Sequence, residues 1–123
     1  MANPNIVNVT SIYGNTSYLI PTGTTATTWT ALTPSASTIN KIGSIVAANV
    51  SSSAATITVS INSATAGGGT AYRIVNQVSI PANATLVVCD KTTGFYVGEA
   101  QSVVVTSGTS SAIELTCTYE AIT

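Results

Sequence analysis

At 123 residues the chain has the length of one domain, enough to bury a hydrophobic core without metals or disulfides. Its 45% hydrophobic content excludes a disordered chain, while 6% charged residues is far below the roughly 25% of an average soluble protein. Lys41, Arg73 and Lys91 are the whole basic complement, the net charge is -1, and there is no histidine, so the sequence offers neither a phosphate-binding stripe nor an imidazole base.

The chain reads as strand after strand. Residues 5–13 alternate apolar and polar side chains loosely. Residues 25–32 are rich in threonine and carry the single tryptophan, Trp29. Residues 41–50 are apolar on both faces, as a central strand would be. Over 54–62 the alternation is strict, with Ile57, Val59 and Ile61 on one face and Thr56, Thr58 and Ser60 on the other. Further strands are expected over 70–80, 85–89, 94–97 and 102–106. The last strand places Ile113, Leu115, Cys117 and Tyr119 inward and Glu114, Thr116, Thr118 and Glu120 outward. Turn residues separate these runs, among them Tyr13-Gly14-Asn15, Pro21-Thr22-Gly23 and Pro81-Ala82-Asn83. The stretch 63–70, SATAGGGT, is expected to be the longest exposed tip, and a floppy hairpin loop is favoured there over a contact tip.

Eight or nine short strands with no long helix predict a single antiparallel β-sandwich, Ig-like or jelly-roll-like. The threonine-rich first third, with Pro4, Pro21 and Pro34, reads as an extended N-terminal arm over 1–14 and edge strands over 15–38. Residues 39–123 form the compact β core. Met1 to Asn5 lacks the pattern of a secretion signal, and no apolar run is long enough for a spanning helix, so no membrane contact is expected. Without such a signal, the Asn-X-Ser/Thr matches at Asn8, Asn15, Asn49 and Asn83 read as chance in a chain so rich in serine and threonine. Cys89 and Cys117 lie in apolar strand patterns, and buried free thiols are favoured over a disulfide.

Little in the chain suggests catalysis. Glu114 and Glu120 share a strand face but stand roughly 20 Å apart at strand rise, too far for a pair of glycosidase carboxylates. Asp90 and Glu99 could approach across a hairpin around Thr93-Gly94, but no base or metal-ligand set accompanies them. The glycine run 67–69 lacks the lysine and hydroxyl of a phosphate loop. Neither zinc nor calcium finds a ligand set, and no cofactor is expected.

Several phrases together resemble a known group. The opening Ala2-Asn3-Pro4-Asn5-Ile6-Val7-Asn8-Val9-Thr10-Ser11-Ile12-Tyr13-Gly14 is similar to the start of short virion proteins of tailed phages, cyanophages among them. Ile80-Pro81-Ala82-Asn83-Ala84-Thr85-Leu86 resembles that group's "IPAxxTL" strand-turn-strand. It is followed, as in the group, by a Gly98-Glu99 turn and the valine-rich Val103-Val104-Val105. The close, Cys117-Thr118-Tyr119-Glu120, is similar to a terminal "SYEE". The likeness touches both ends and the second half, and is absent over 16–39. Where the group has an acidic "YLEEGD" turn, this chain keeps only Glu99.

The resemblance implies a non-enzymatic virion structural protein, made in the host cytoplasm. The first expectation is a capsid decoration (cement) protein that binds across neighbouring major capsid subunits of the HK97-type fold and self-associates. A tail, neck, collar or fibre-base component is the alternative, and a carbohydrate-binding host-attachment module built on Trp29 is another. Interface candidates are Ile6, Val7, Val9, Ile12, Tyr13, Tyr18 and Trp29, with Tyr72 and Tyr96 as further aromatics that could anchor a partner. For each aromatic, core packing is the competing role.

Overall fold

The computed structural model describes residues 8–123. Nine strands run in order: β1 (Ile12–Leu19), β2 (Thr27–Thr28), β3 (Ile39–Asn49), β4 (Ala55–Asn62), β5 (Ala71–Ile80), β6 (Thr85–Cys89), β7 (Phe95–Val97), β8 (Ser102–Ser107) and β9 (Ile113–Ile122). Single 3-10 turns at Thr30–Leu32 and Thr65–Gly67 are the only helical elements among the described residues.

The strands form two antiparallel sheets packed as a sandwich. Sheet A has the order β1-β9-β3-β6, with β7 also paired to β3, and sheet B has the order β2-β8-β4-β5. β6 pairs with Ile45–Ala48 of β3 and β7 with Asn40–Ile42, so the two occupy one interrupted position. Counted that way, each strand crosses to the other sheet except at the β4–β5 hairpin. This is the connectivity of a jelly roll, which decides between the two sandwich types the strand pattern left open.

The core lies between the sheets. Sheet A contributes Ile42, Ile45, Ala47, Val97, Ile113, Leu115 and Cys117, and sheet B contributes Ile57, Val59, Val103 and Val105. β3 is central, with β9 on one side and β6 and β7 on the other; its inward Ile42, Ile45 and Ala47 are buried, whereas its outward Val46 and Ala48 are only half-buried and Lys41 is exposed. Its alternation breaks at Gly43, where the register with β9 shifts between Ile42 and Ser44. That bulge lets both Ile42 and Ile45 point inward, and a Cβ on Gly43 would stand 3.3 Å from the Thr118 carbonyl oxygen.

Two expectations change. Ile12, Tyr13 and Gly14, assigned to an arm, are the first residues of β1 and pair with Ile122, Ala121 and Glu120 of β9. The tip over 63–70 is exposed at Ser63, Thr65, Ala66, Gly69 and Thr70 as expected, but it is no floppy hairpin: it is folded back on the outer face of sheet B. Asn62 Nδ2 donates to the Gly67 carbonyl at 2.9 Å, Gly67 N–H to Ser102 Oγ at 2.9 Å, and Ser102 Oγ to the Ala64 carbonyl at 2.7 Å. Gly67 (φ 76°) and Gly69 (φ 70°) supply the left-handed backbone this return needs. The outward-facing Ser60, Asn62 and Ser102 are buried as a result.

Candidate interaction surface

Among the described residues no loop folds over the outer face of sheet A in this way, although Ile39 and Ile122 at one end of it are buried. Cross-strand register places its residues in rows. One row runs Tyr18, Thr116, Val46 and Val87 across β1, β9, β3 and β6. Another runs Gly14, Glu120, Lys41 and Tyr96 across β1, β9, β3 and β7. Between them lie Thr16, Thr118 and Ser44, the last two joined by a 2.8 Å hydroxyl hydrogen bond. Ile12, Ile122 and Ile39 close one end. Tyr18, Val87 and Tyr96 are exposed, so the face is aromatic and aliphatic at its margins and hydroxyl-rich at its centre.

The Gly43 bulge sinks a shallow groove into this face. A depression of about 500 Å³ is lined by Lys41, Lys91, Phe95, Tyr96, Thr118 and Glu120. A second, of about 370 Å³, continues toward β1 through Gly14, Asn15 and Thr16. Two of the chain's three basic residues therefore meet beside one carboxylate and one phenol. Sequence reading missed this cluster because Lys41 and Lys91 lie far apart in the chain, and only the β3–β7 pairing joins them.

The expected interface residues separate into three groups. Ile6 and Val7 lie outside the described residues. Val9 is partly buried, just ahead of β1, in a segment whose Thr10 N–H donates to the Thr123 carbonyl at 2.7 Å. Ile12, Tyr13 and Tyr18 come together on the edge strand β1, with exposures of 52%, 63% and 74%. Trp29 is the correction. It is 1% exposed within the core, and its indole N–H donates to Ser17 Oγ at 3.0 Å. A large apolar ring whose one polar atom finds a buried acceptor is more stable inside than at a surface. Trp29 is therefore neither an exposed anchor nor a sugar-stacking platform. Its bond instead pins the inward face of β1 to the core.

Outside that groove the titratable groups do not converge. Asp90 is exposed and engaged by its own turn, where the Thr92 hydroxyl (2.6 Å) and Thr92 N–H (2.9 Å) hold its carboxyl below the ordinary carboxylate range. Glu99 sits in the turn between β7 and β8, and among the described residues neither of its carboxylate oxygens, both shielded from solvent, has a hydrogen-bond partner. Cys89 and Cys117 are free and buried. They flank Ile45 from opposite sides, on β6 and β9, which separates them by two strand spacings, roughly 9–10 Å. A disulfide needs Cα atoms within about 7 Å, so the sheet order itself forbids one. Burial pushes both thiols up, and that of Cys117 to about 12. Asn49, a formal glycosylation match, is a buried clamp whose amide donates to the Ser53 and Ile80 carbonyls at 2.8 and 2.9 Å. Among the described residues no group of three or more His, Cys, Asp or Glu could hold a metal ion, and no helix is long and apolar enough to cross a membrane.

No family model matches this chain, and no curated protein matches it.

Proposed function

We propose that this is a non-enzymatic structural protein of a tailed-phage particle, a decoration protein that binds across neighbouring major capsid subunits on the head. The observation that carries the reading is the outer face of sheet A, where Tyr18, Val87 and Tyr96 are exposed beside a groove lined by Thr118, Lys41, Lys91 and Glu120 and no loop among the described residues folds over them. Such residues on a fixed scaffold suit a protein interface, since tyrosine contributes large contact area at little entropic cost. The resemblance of the sequence to short virion proteins supplies the setting. The jelly roll supports it by analogy only, because viral capsid domains share that architecture with many unrelated proteins.

The test is the number of copies per purified particle, measured by quantitative mass spectrometry against the major capsid protein. A ratio between about one-third and one per capsid subunit is expected for a shell protein. A handful of copies would move the protein to the neck or tail, and none would remove it from the virion. Binding to empty heads gives a second check. Deleting residues 2–7, ahead of all described structure, separates any contribution of the N-terminal segment from that of the sheet face.

A further inference from the structure

We infer that the outer edge of β1, unpaired among the described residues, is a self-association surface, pairing antiparallel with β1 of a second copy about a two-fold axis at Asn15. The inference goes beyond the reading above: it concerns how two copies of this chain pair and does not depend on their place in a particle.

Three of the four sheet edges are blunted in the ways that keep monomers apart. β2 is two residues long. β5 carries Arg73, and its pairing with β4 is broken by register shifts near Val59, with Gln77 at φ 49°. The β6–β7 edge is interrupted by the turn between its two strands and by a shift at Ile45/Val46. β1 has none of these devices. Its eight residues, Ile-Tyr-Gly-Asn-Thr-Ser-Tyr-Leu, contain no charge and no proline, and its register with β9 is unbroken.

The free backbone groups can be assigned. Thr123 N–H donates to the Ser11 carbonyl at 2.9 Å and Ser11 N–H approaches the Thr123 carbonyl at 3.4 Å, so Ser11 and Thr123 form a hydrogen-bonded pair. Alternation along an antiparallel ladder then turns Tyr13, Asn15, Ser17 and Leu19 toward β9. Ile12, Gly14, Thr16 and Tyr18 direct their N–H and C=O groups outward.

A two-fold axis at Asn15 sets those outward residues opposite one another: Ile12 against Tyr18 of the second copy, and Gly14 against Thr16. The same arrangement keeps the outer faces of both sheets A on one side. Ile12 and Tyr18, both exposed, then form an aliphatic–aromatic cross-strand pair at each end of the ladder. At the centre, a Cβ on Gly14 would meet open space, which leaves room for the threonine opposite. Because the strand is uncharged, self-pairing brings no like charges together. A surface that complements itself in register, hydrogen bonding and side chains commits to a second copy as its occupant.

Sedimentation of the full chain is expected to give twice the monomer mass. Asn15→Cys places one thiol of each copy at the axis, in a non-hydrogen-bonded pair with Cα atoms about 4.5 Å apart. Mild oxidation should convert most of that variant to a covalent dimer, while Tyr18→Cys, opposite Ile12 in this register, should not cross-link. Thr16→Pro removes an outward N–H and Tyr18→Lys adds a charge at an exposed site, and each should yield folded monomer. A wild-type chain that stays monomeric overturns the inference, as does a dimer that resists Asn15→Cys cross-linking or survives both Thr16→Pro and Tyr18→Lys. A monomer present in hundreds of copies per particle would sink the dimer and leave the decoration reading standing. A β1-paired dimer absent from particles would do the reverse.

Discussion

The β8–β4 part of sheet B carries its own cover, whereas no loop among the described residues folds over the outer face of sheet A. On sheet B the return of residues 63–70 buries Ser60, Asn62 and Ser102 in a closed set of hydrogen bonds. On sheet A the corresponding surface has only the Ser44–Thr118 hydroxyl pair at its centre and exposed Tyr18, Val87 and Tyr96 around it. A polar face can satisfy itself with a loop of small residues, because each hydroxyl or amide finds a backbone partner. Exposed tyrosines and valines gain most from area removed from water, and the described chain provides none. The difference separates residues that hold the fold from residues available to a partner.

Four measurements sharpen or break that division. The largest stability effect should come from the inward side of β1: Trp29→Ala removes a fully buried ring and should cost about 3–5 kcal/mol in denaturant unfolding. If Trp29→Ala costs less than Tyr18→Ala, the assignment of inward and outward residues is wrong. Next, Ser102→Ala strands the Gly67 N–H and the Ala64 carbonyl and should cost about 1–3 kcal/mol. Limited proteolysis should then cut within 63–70, where the wild-type chain resists.

Third, the buried thiol of Cys117 makes stability depend on alkaline pH. Its proton is held in the folded state up to about 12 but released from an ordinary thiol near 9.0, so the unfolded state loses protons first. Stability should therefore be unaffected below pH 9.0 and fall as pH rises from there toward 12, and Cys117→Ala should flatten that part of the curve. Thiol reagents at neutral pH should label neither cysteine until the protein unfolds. The smallest stability effect belongs to the bare face: Tyr18→Ala should change folding by no more than about 0.5 kcal/mol. The same substitution should weaken dimer formation and binding to empty heads, and a large loss of fold stability would show that Tyr18 is structural.

Much of the framework was legible from residue order. β4 and β9 alternate so strictly that their inward faces follow from the pattern, and Ile57, Val59, Leu115 and Cys117 are all buried. The two-sided apolar run of β3 marks it as central, and turn residues place β6 within its observed bounds. The candidate surface was only half legible. Tyr13 and Tyr18 stand out as aromatics in a polar stretch, but so does Trp29, and composition cannot tell an exposed ring from a buried one. What separates them is Ser17: it faces inward from β1, and its hydroxyl gives the Trp29 indole a buried partner.

Periodicity by itself determined the all-β class, strands β3 to β9 and most of the core, because each depends on contacts that repeat every second residue; the first strand, expected over 5–13 with a turn at Tyr13-Gly14-Asn15, runs through that turn as Ile12–Leu19. The jelly-roll order, the meeting of Lys41 with Lys91, the separation of Cys89 from Cys117 across Ile45, the folded-back 63–70 loop and the outer edge of β1 were decided only by tertiary structure. Each of these depends on which strands become neighbours, and that choice is made by long-range packing that no local pattern of side chains encodes.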